Sequence, residues 1–180
     1  MKKTYLIWLF SCLTITLFGQ EKKLPIDTLV ITQQKTIIKG QTINYEAQTG
    51  RIPVWNSEGN PIASLFFTYY KRTNISNNTN RPIIFSFNGG PGAGSLWMHM
   101  GYTGPRMLNV DSEGYPVQPY GYKSNPYSIL DVADIVFVNP VNVGYSRIVE
   151  YEGKKESGKT FFGVNQDIKY LAEWISTFIS

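Results

Sequence analysis

Cysteine and histidine are almost absent from this sequence, which holds one of each among 180 residues. Cys12 lies in an apolar N-terminal segment typical of a leader, so the rest of the chain offers no disulfide, no thiol nucleophile and no thiolate for a metal. His99 alone cannot provide the several ligands of a zinc site. These shortages exclude a disulfide scaffold, thiol catalysis and a His/Cys zinc site built from this chain.

Charged residues are also scarce, at 17% of the chain, whereas hydrophobic residues make up 42% and aromatic residues 14%. Disordered tails and nucleic-acid-binding arms need high net charge and few aromatic residues, so both are excluded. The formal charge falls from +4 to +2 without Lys2 and Lys3, and no basic run remains to favour nucleic acid or a membrane surface. The composition indicates a globular domain with a substantial core.

The first twenty residues have the pattern of a secretory signal peptide. Lys2 and Lys3 form a positive start, residues 5–18 are mostly apolar, and Gly19-Gln20 precede a charged segment. A membrane anchor is the alternative, but the apolar run is shorter than the roughly 18 residues that a spanning helix needs. We therefore predict a cleaved signal at residues 1–20, a secreted or periplasmic protein, and no membrane association after cleavage.

Segments rich in Val, Ile, Thr and Tyr predict strands in the first part of the remaining chain. Residues 29–45, with Gly40 as a turn residue, predict a β-hairpin or two short strands. A further strand segment is expected over residues 45–55, and another strand over residues 62–70. The chain therefore begins with antiparallel, hairpin-connected strands.

Two later apolar runs, 82–87 and 134–138, are typical of strands buried on both faces, as in a largely parallel sheet. The stretch between them is rich in Gly, Pro and Tyr and predicts loop rather than helix.

A helix is predicted at the end of the chain, with Asn165 or Asp167 as its cap. Its expected apolar stripe consists of Ile168, Leu171, Ala172, Ile175, Phe178 and Ile179. No helix-stopping residue follows, so we expect the natural protein to continue. Hairpin strands, then mainly parallel strands, then a helix predict an α/β architecture.

The glycine-rich segment 87–95 is the strongest candidate for a site. It follows a predicted buried strand, where open α/β sheets place their ligands. Its four glycines let the backbone turn sharply and present bare N–H groups, which suit an oxyanion or a carboxylate. A phosphate loop would look similar, but the Lys-Ser/Thr continuation is missing, and so is the dinucleotide fingerprint. A tight turn without a ligand is the structural alternative.

Five segments, in order, resemble the serine carboxypeptidase family, most closely its bacterial branch. They are Asn88-Gly89-Gly90-Pro91-Gly92, Gly104-Pro105, Asn125-Pro126-Tyr127-Ser128, residues 135–141 and Gly144-Tyr145-Ser146. The resemblance runs from about Leu29 to the last residue and implies an α/β-hydrolase fold. Residues 21–180 would form the N-terminal part of a single such domain, truncated before its nucleophile.

The resemblance implies a serine-type carboxypeptidase that removes the C-terminal residue of peptides without a cofactor or metal. The Asn88 side chain and the Gly89 N–H would hold the substrate carboxylate, and the Gly90 N–H would form half of an oxyanion hole. An Asn amide donates a hydrogen bond without adding a charge, which suits that role. The implied partner is a peptide with a free C-terminal carboxylate; the oligomeric state is not predicted.

The family's nucleophile lies in a Gly-x-Ser-x-Gly elbow, and this sequence contains no such pattern. Ser95 and Ser146 do not fit the elbow, so we expect structural hydroxyls at turns. In the family the acid and base follow the serine, so His99 is expected to lie beside the site and not to act as the base. The nucleophile, Asp and His of the triad are therefore missing, and the chain alone is predicted to be inactive.

Other departures from the family pattern concern the pocket. Asn139, Asn142 and Val143 replace an Asp, a Gly and a Thr common in the bacterial branch. Tyr102 stands where the eukaryotic branch has a Glu, which predicts a weaker preference for acid pH. Tyr102 and Tyr145 are candidate pocket residues.

Two alternatives share the sequence evidence. One is an acyltransferase or esterase on the same scaffold, since these enzymes stabilise an oxyanion in the same way. The other is a non-catalytic secreted protein that binds peptide C-termini.

Overall fold

A computed structural model describes residues 27–76, 80–88 and 92–180 of the chain. The predicted signal peptide, residues 1–20, lies outside these ranges and stays a prediction. The strands within them are β1 Thr28–Ile38, β2 Gln41–Trp55, β3 Pro61–Arg72, β4 Ile83–Ser86, β5 Arg106–Leu108, β6 Tyr122–Ser124, β7 Asp134–Val138, β8 Arg147–Ile148, β9 Glu150–Tyr151 and β10 Lys154–Lys155. The helices are a π-type helix Trp97–Thr103, 3₁₀ turns Ile129–Asp131 and Gly158–Thr160, and α1 Val164–Ile179.

The main sheet has the strand order β1-β2-β3-β7-β4, with β8 also pairing to β3. β1, β2 and β3 form an antiparallel meander, β7 pairs antiparallel with β3, and β4 pairs parallel with β7. The α/β class and the order of antiparallel before parallel strands are confirmed, although β4 and β7 are the one parallel pair in the described part of the chain.

The predicted hairpin is confirmed, with the turn at Lys39-Gly40. Both residues have positive φ, 48° and 78°, as a two-residue type I′ turn requires. Residues 45–55 are strand, as predicted, but they are not a further strand, because this segment continues β2 without a break. The antiparallel pairing of β2 with both β1 and β3 extends it to fifteen residues.

Strand β7 is buried along its whole length, as its apolar run predicts. The matching prediction for residues 82–87 is wrong, since Ile83 and Ile84 of β4 are 41% and 39% exposed. β4 pairs with β7 along one side only, so within the described residues it is an edge strand. An apolar run alone does not distinguish an edge position from a central one.

Helix α1 packs on the core through a stripe that overlaps the predicted one, since Leu171, Ile175 and Phe178 pack there as expected. Tyr170 and Trp174 are its buried residues, whereas Ile168 and Ile179 are exposed. Trp174 contacts Phe67 of β3, with ring centroids 5.8 Å apart. The aromatic ring of Trp174 also contacts Phe85, at a centroid distance of 6.4 Å, and supplies much of the apolar area that the helix buries.

The predicted caps of α1 are also wrong. The N-cap residue is Gly163, and no side chain caps the first turn. Residues 92–133 are mainly loop, as predicted, with the π-type helix as their longest helical element. Within residues 27–76, 80–88 and 92–180, no helix has the length and apolar character needed to cross a membrane.

Candidate active site

The loops that follow β4 and β7 meet at one edge of the sheet, because the carboxyl ends of parallel strands lie together. A cavity of about 740 Å³ opens there, between the glycine-rich segment, the loop after β7 and the start of α1. Its described lining residues are Asn88, Gly92, Ala93, Pro140, Val141, Asn142, Val143, Phe162, Gly163, Val164, Asp167 and Tyr170. This is the place where sequence reasoning expects the site.

Of the residues predicted to bind substrate, the structure describes Asn88, which is half-buried at the cavity wall. Gly92 has φ 82°, a left-handed conformation that glycine adopts at little cost. Gly89 and Gly90 lie outside the described residues, so their roles as carboxylate and oxyanion donors stay predictions.

Ser95 and Ser146 are both buried, and main-chain groups engage both hydroxyls. Ser95 Oγ donates to the carbonyl of Val138. Ser146 Oγ donates to the carbonyl of Asn139 at 2.7 Å and accepts the Phe66 N–H at 2.8 Å. The prediction that these serines are structural is confirmed.

His99 lies on the π-type helix with its ring stacked on Phe137 of β7, at a centroid distance of 4.5 Å. Its Nε2 shares a 2.6 Å hydrogen bond with the hydroxyl of Tyr70. Burial lowers the pKa of His99 to about 4 and raises the pKa of Tyr70, so both are neutral near pH 7. His99 is a helix residue with partners of its own in Tyr70 and Phe137, and its expected position beside the site stays a prediction.

Two of the family motifs, Asn125-Pro126-Tyr127-Ser128 and Gly104-Pro105, are joined by hydrogen bonds at the end of the π-type helix. Asn125 Nδ2 donates to the carbonyls of Tyr102 and Gly104, at 2.7 and 2.8 Å. Ser128 Oγ donates to the intervening carbonyl of Thr103 at 2.7 Å. Gly104 is required because a Cβ there would lie 2.2 Å from the His99 carbonyl oxygen. The Asn-Pro-x-Ser segment therefore satisfies the end of this helix.

Tyr102 and Tyr145, the candidate pocket residues, are 66% and 63% exposed. Tyr145 packs on Phe66, with ring centroids 5.1 Å apart. Neither tyrosine is among the residues that line the 740 Å³ cavity, and the structure does not bring them together with Asn88 there. Their role in the pocket stays a prediction.

The replaced residues Asn142 and Val143 both line the cavity, so they do form part of its wall. Asn142 has φ 60°, the left-handed region in which Asn is the best tolerated substitute for Gly. Its Oδ1 accepts the N–H of Ile148 at 3.2 Å, which stabilises the turn before β8.

Sequence reasoning missed Tyr170, which closes one side of the cavity. Its hydroxyl accepts the N–H of Val141 at 3.3 Å and so fixes the loop after β7 to α1. Burial is the main cause that raises the pKa of Tyr170, with the nearby Asp167 carboxylate acting in the same direction. The sequence does carry a signal for Tyr170, because it is an aromatic residue with a polar hydroxyl next to the predicted apolar stripe.

The lining is largely apolar, and Asp167 is its one charged side chain among the described residues. Across the described ranges, no three His, Cys, Asp or Glu side chains come together as metal ligands would.

Comparison with known proteins adds independent information. A family model described as serine carboxypeptidase matches residues 38–180. Serine carboxypeptidase-like 37 of Arabidopsis thaliana is 30% identical over 155 residues, which cover 81% of this chain and 29% of the relative. Carboxypeptidase Y homolog A of Pyrenophora tritici-repentis is 35% identical over 83 residues, or 46% of this chain and 14% of the relative.

Among solved structures, a prohormone-processing carboxypeptidase from Saccharomyces cerevisiae superposes with a TM-score of 0.52. It is 21% identical, and the match covers 76% of this chain and 29% of that chain, so it supports the fold alone. The chain thus spans less than a third of the length of these relatives. These plant and fungal proteins leave the expected bacterial branch a prediction.

Proposed function

Because the chain belongs to the serine carboxypeptidase family, we propose that it forms the substrate-carboxylate and oxyanion part of a carboxypeptidase site. In this proposal the Asn88 amide and the Gly89 N–H bind the terminal carboxylate of a peptide. The Gly90 N–H stabilises the oxyanion that develops at the scissile carbonyl. The observation that carries the proposal is the position of Asn88 at the wall of the cavity, two residues after the end of β4.

The surroundings of Asn88 support the binding of an anion. Its side chain is an uncharged donor, and the lining near it is mostly apolar, so a hydrogen bond made there is poorly screened by water. The first turn of α1 lines the same cavity and has no side-chain cap. Its N–H groups add a favourable field for negative charge, which the Asp167 carboxylate partly opposes.

We further propose that hydrolysis requires a serine, an aspartate and a histidine from outside these 180 residues. The sequence has no Gly-x-Ser-x-Gly segment, and its single histidine is bound to Tyr70. The two serines near the cavity are engaged with main-chain groups. The 180 residues alone should therefore bind a peptide C-terminus without cleaving it.

The test compares a short peptide with a free C-terminal carboxylate and the same peptide as its C-terminal amide, by calorimetry. We expect the free acid to bind at least about tenfold more tightly, since a charge-assisted hydrogen bond contributes about 1.5–3 kcal/mol. Asn88→Asp places a negative charge beside the carboxylate and should abolish this preference. Asn80→Asp makes the same charge change in an exposed loop before β4 and is the matched control.

Equal affinity of the wild-type chain for acid and amide would refute the carboxylate clamp. Mass spectrometry would show whether the 180-residue chain releases the C-terminal residue of the peptide. Such release would refute the proposal that the nucleophile comes from outside these residues.

A further inference from the structure

Asn139 stands at the junction of three segments around the proposed site. It directly follows β7, whose last residue is Val138. Its main-chain N–H donates to the carbonyl of Phe66 at 3.0 Å, and its carbonyl accepts Ser146 Oγ at 2.7 Å. The backbone of Asn139 is therefore held on both sides by the sheet and by the turn before β8.

The side chain of Asn139 points to the glycine-rich segment. Its Oδ1 accepts the N–H of Ser95 at 2.9 Å, while Ser95 Oγ donates to the Val138 carbonyl. Two adjacent hydrogen bonds thus tie Ser95, which is 3% exposed, to the end of β7.

Two glycines leave the space that this carboxamide occupies. A Cβ at Gly144, which has φ 54°, would lie 2.3 Å from Asn139 Nδ2. A Cβ at Gly94 would lie 3.4 Å from Asn139 Oδ1. The contact at Gly144 would push the carboxamide out of line with the Ser95 N–H, whereas the one at Gly94 is an ordinary van der Waals distance. The packing against Gly144 therefore favours one orientation of this side chain.

We propose that Asn139 is a positioning residue, which anchors the far end of the glycine-rich segment and thereby sets how Asn88 and its neighbours meet the substrate carboxylate. The segment has two anchors: β4, which ends at Ser86, and Ser95 on the end of β7. Eight residues run between them, and the proposed binding groups are among these. Because donors at such a site must be held within fractions of an ångström, loss of one anchor should weaken anion binding.

The choice of Asn over the Asp of the family pattern fits this role. Both side chains present an oxygen to the Ser95 N–H, but the amide adds no negative charge beside a loop that binds a carboxylate. Asn139→Asp should therefore preserve the anchor and weaken carboxylate binding only slightly, whereas Asn139→Leu leaves the Ser95 N–H without its acceptor.

This inference rests on the proposed function, and the experiment separates the two. The affinities of the free-acid and amidated peptides are measured for the wild-type chain, Asn139→Leu, Asn139→Asp and Ser146→Ala. We expect the acid-over-amide preference to fall about tenfold in Asn139→Leu and less than about threefold in Asn139→Asp. Ser146→Ala removes the hydrogen bonds of the Ser146 hydroxyl to the Asn139 carbonyl and the Phe66 N–H. It is the control for a general loosening of the turn before β8, and we expect it to retain the preference for the free acid.

An unchanged preference in Asn139→Leu would overturn the proposal, as would an equal loss in Ser146→Ala. Asn139→Ala, which leaves room for a water, replaces the leucine variant if that variant does not fold.

Amide hydrogen exchange on the same samples reports on the anchor itself. Exchange at Ser95 should be at least about tenfold faster in Asn139→Leu than in Asn139→Asp. Equal exchange rates at Ser95 in the two variants would overturn the role of Asn139 as an anchor, even if the wild-type chain prefers the free-acid peptide. A wild-type chain without acid preference refutes the proposed function, and with it the role of Asn139 in substrate binding, whatever the exchange shows.

Discussion

The two ends of β7 are stabilised by different chemistry. At the amino end, Asp134 accepts hydrogen bonds from the Arg81 guanidinium at 2.6 Å, the Arg72 N–H at 3.1 Å and the Tyr69 hydroxyl at 3.3 Å. Arg72 and Arg81 also donate to the main-chain carbonyl of Asp131. Buried charges are concentrated there, and each has partners.

At the carboxyl end of β7, four residues away, hydrogen bonds between uncharged groups hold the neighbouring segments. Asn139 and Ser95 hold the glycine-rich segment, and Ser146 holds the turn before β8, without an ion pair among these contacts. Beyond Asp167, which lines the cavity, a further fixed negative charge at that end would weaken the binding of a substrate carboxylate. The comparison teaches that the fold places its ion pairs at the edge away from the proposed site.

Breaking the ion pair at the amino end should have the largest effect. Arg81→Met leaves the Asp134 carboxylate buried without its cationic partner, and both side chains are less than a tenth exposed. We expect a loss of about 3 kcal/mol in the free energy of unfolding at pH 7, measured by urea denaturation.

The double variant Arg81→Met/Asp134→Asn should recover part of this loss, because no buried charge remains unpaired. A loss below about 1 kcal/mol in the single variant would show that the main-chain N–H of Arg72 and the Tyr69 hydroxyl satisfy Asp134 without the ion pair.

The carboxyl half of β7 should respond to pH through His99, which stacks on Phe137. The pKa of His99 in the folded state is about 4, below its ordinary value of 6.5, so the unfolded chain binds the additional proton between these pH values. Stability is therefore complete above about pH 6.5 and decreases as pH falls toward 4. The expected loss is about 2 kcal/mol at pH 5 and about 3 kcal/mol at pH 4.

The measurement is urea denaturation from pH 7 to pH 4 for the wild-type chain and for His99→Leu. Since the sequence has a single histidine, the difference between the two curves isolates this group. Parallel curves between pH 5 and 6.5 would contradict the assignment.

The smallest effect is expected from the exposed ion pair beside the amino end. Lys39 Nζ lies 2.6 Å from Asp131 Oδ2, but the lysine side chain is 66% exposed. Lys39→Ala should cost less than about 1 kcal/mol, and the cost should vanish in high salt. A loss as large as that of Arg81→Met would remove the distinction between buried and exposed pairs at this edge.

Local patterns were sufficient for several elements. The hairpin at Gly40, strand β7, the terminal helix and the structural roles of Ser95 and Ser146 all follow from residue type and spacing. They are local because turn chemistry, apolar runs and helical periodicity act over a few residues. The proposed site could be predicted for the same reason, since Asn88–Gly92 is a continuous segment.

The errors concern relations between distant segments. Residues 82–87 read as a central strand, yet β4 has one partner in the described chain. Helix α1 buries Trp174 against Phe67 of the sheet and Tyr170 against Phe161, and the helix's own apolar periodicity does not contain that information. The same limit hid the contact between Tyr170 and Val141.

By itself, then, the sequence determined the family, the α/β order of elements and the segment that carries the proposed site. Motif residues and turn formers are recognisable one by one, so no knowledge of packing is needed for them. Only the tertiary structure decided which groups hold that segment in place, because Asn139 and Ser95 are 44 residues apart and meet only when β7 packs beside β4. Hydrogen-bond partners of this kind depend on the path of the whole chain.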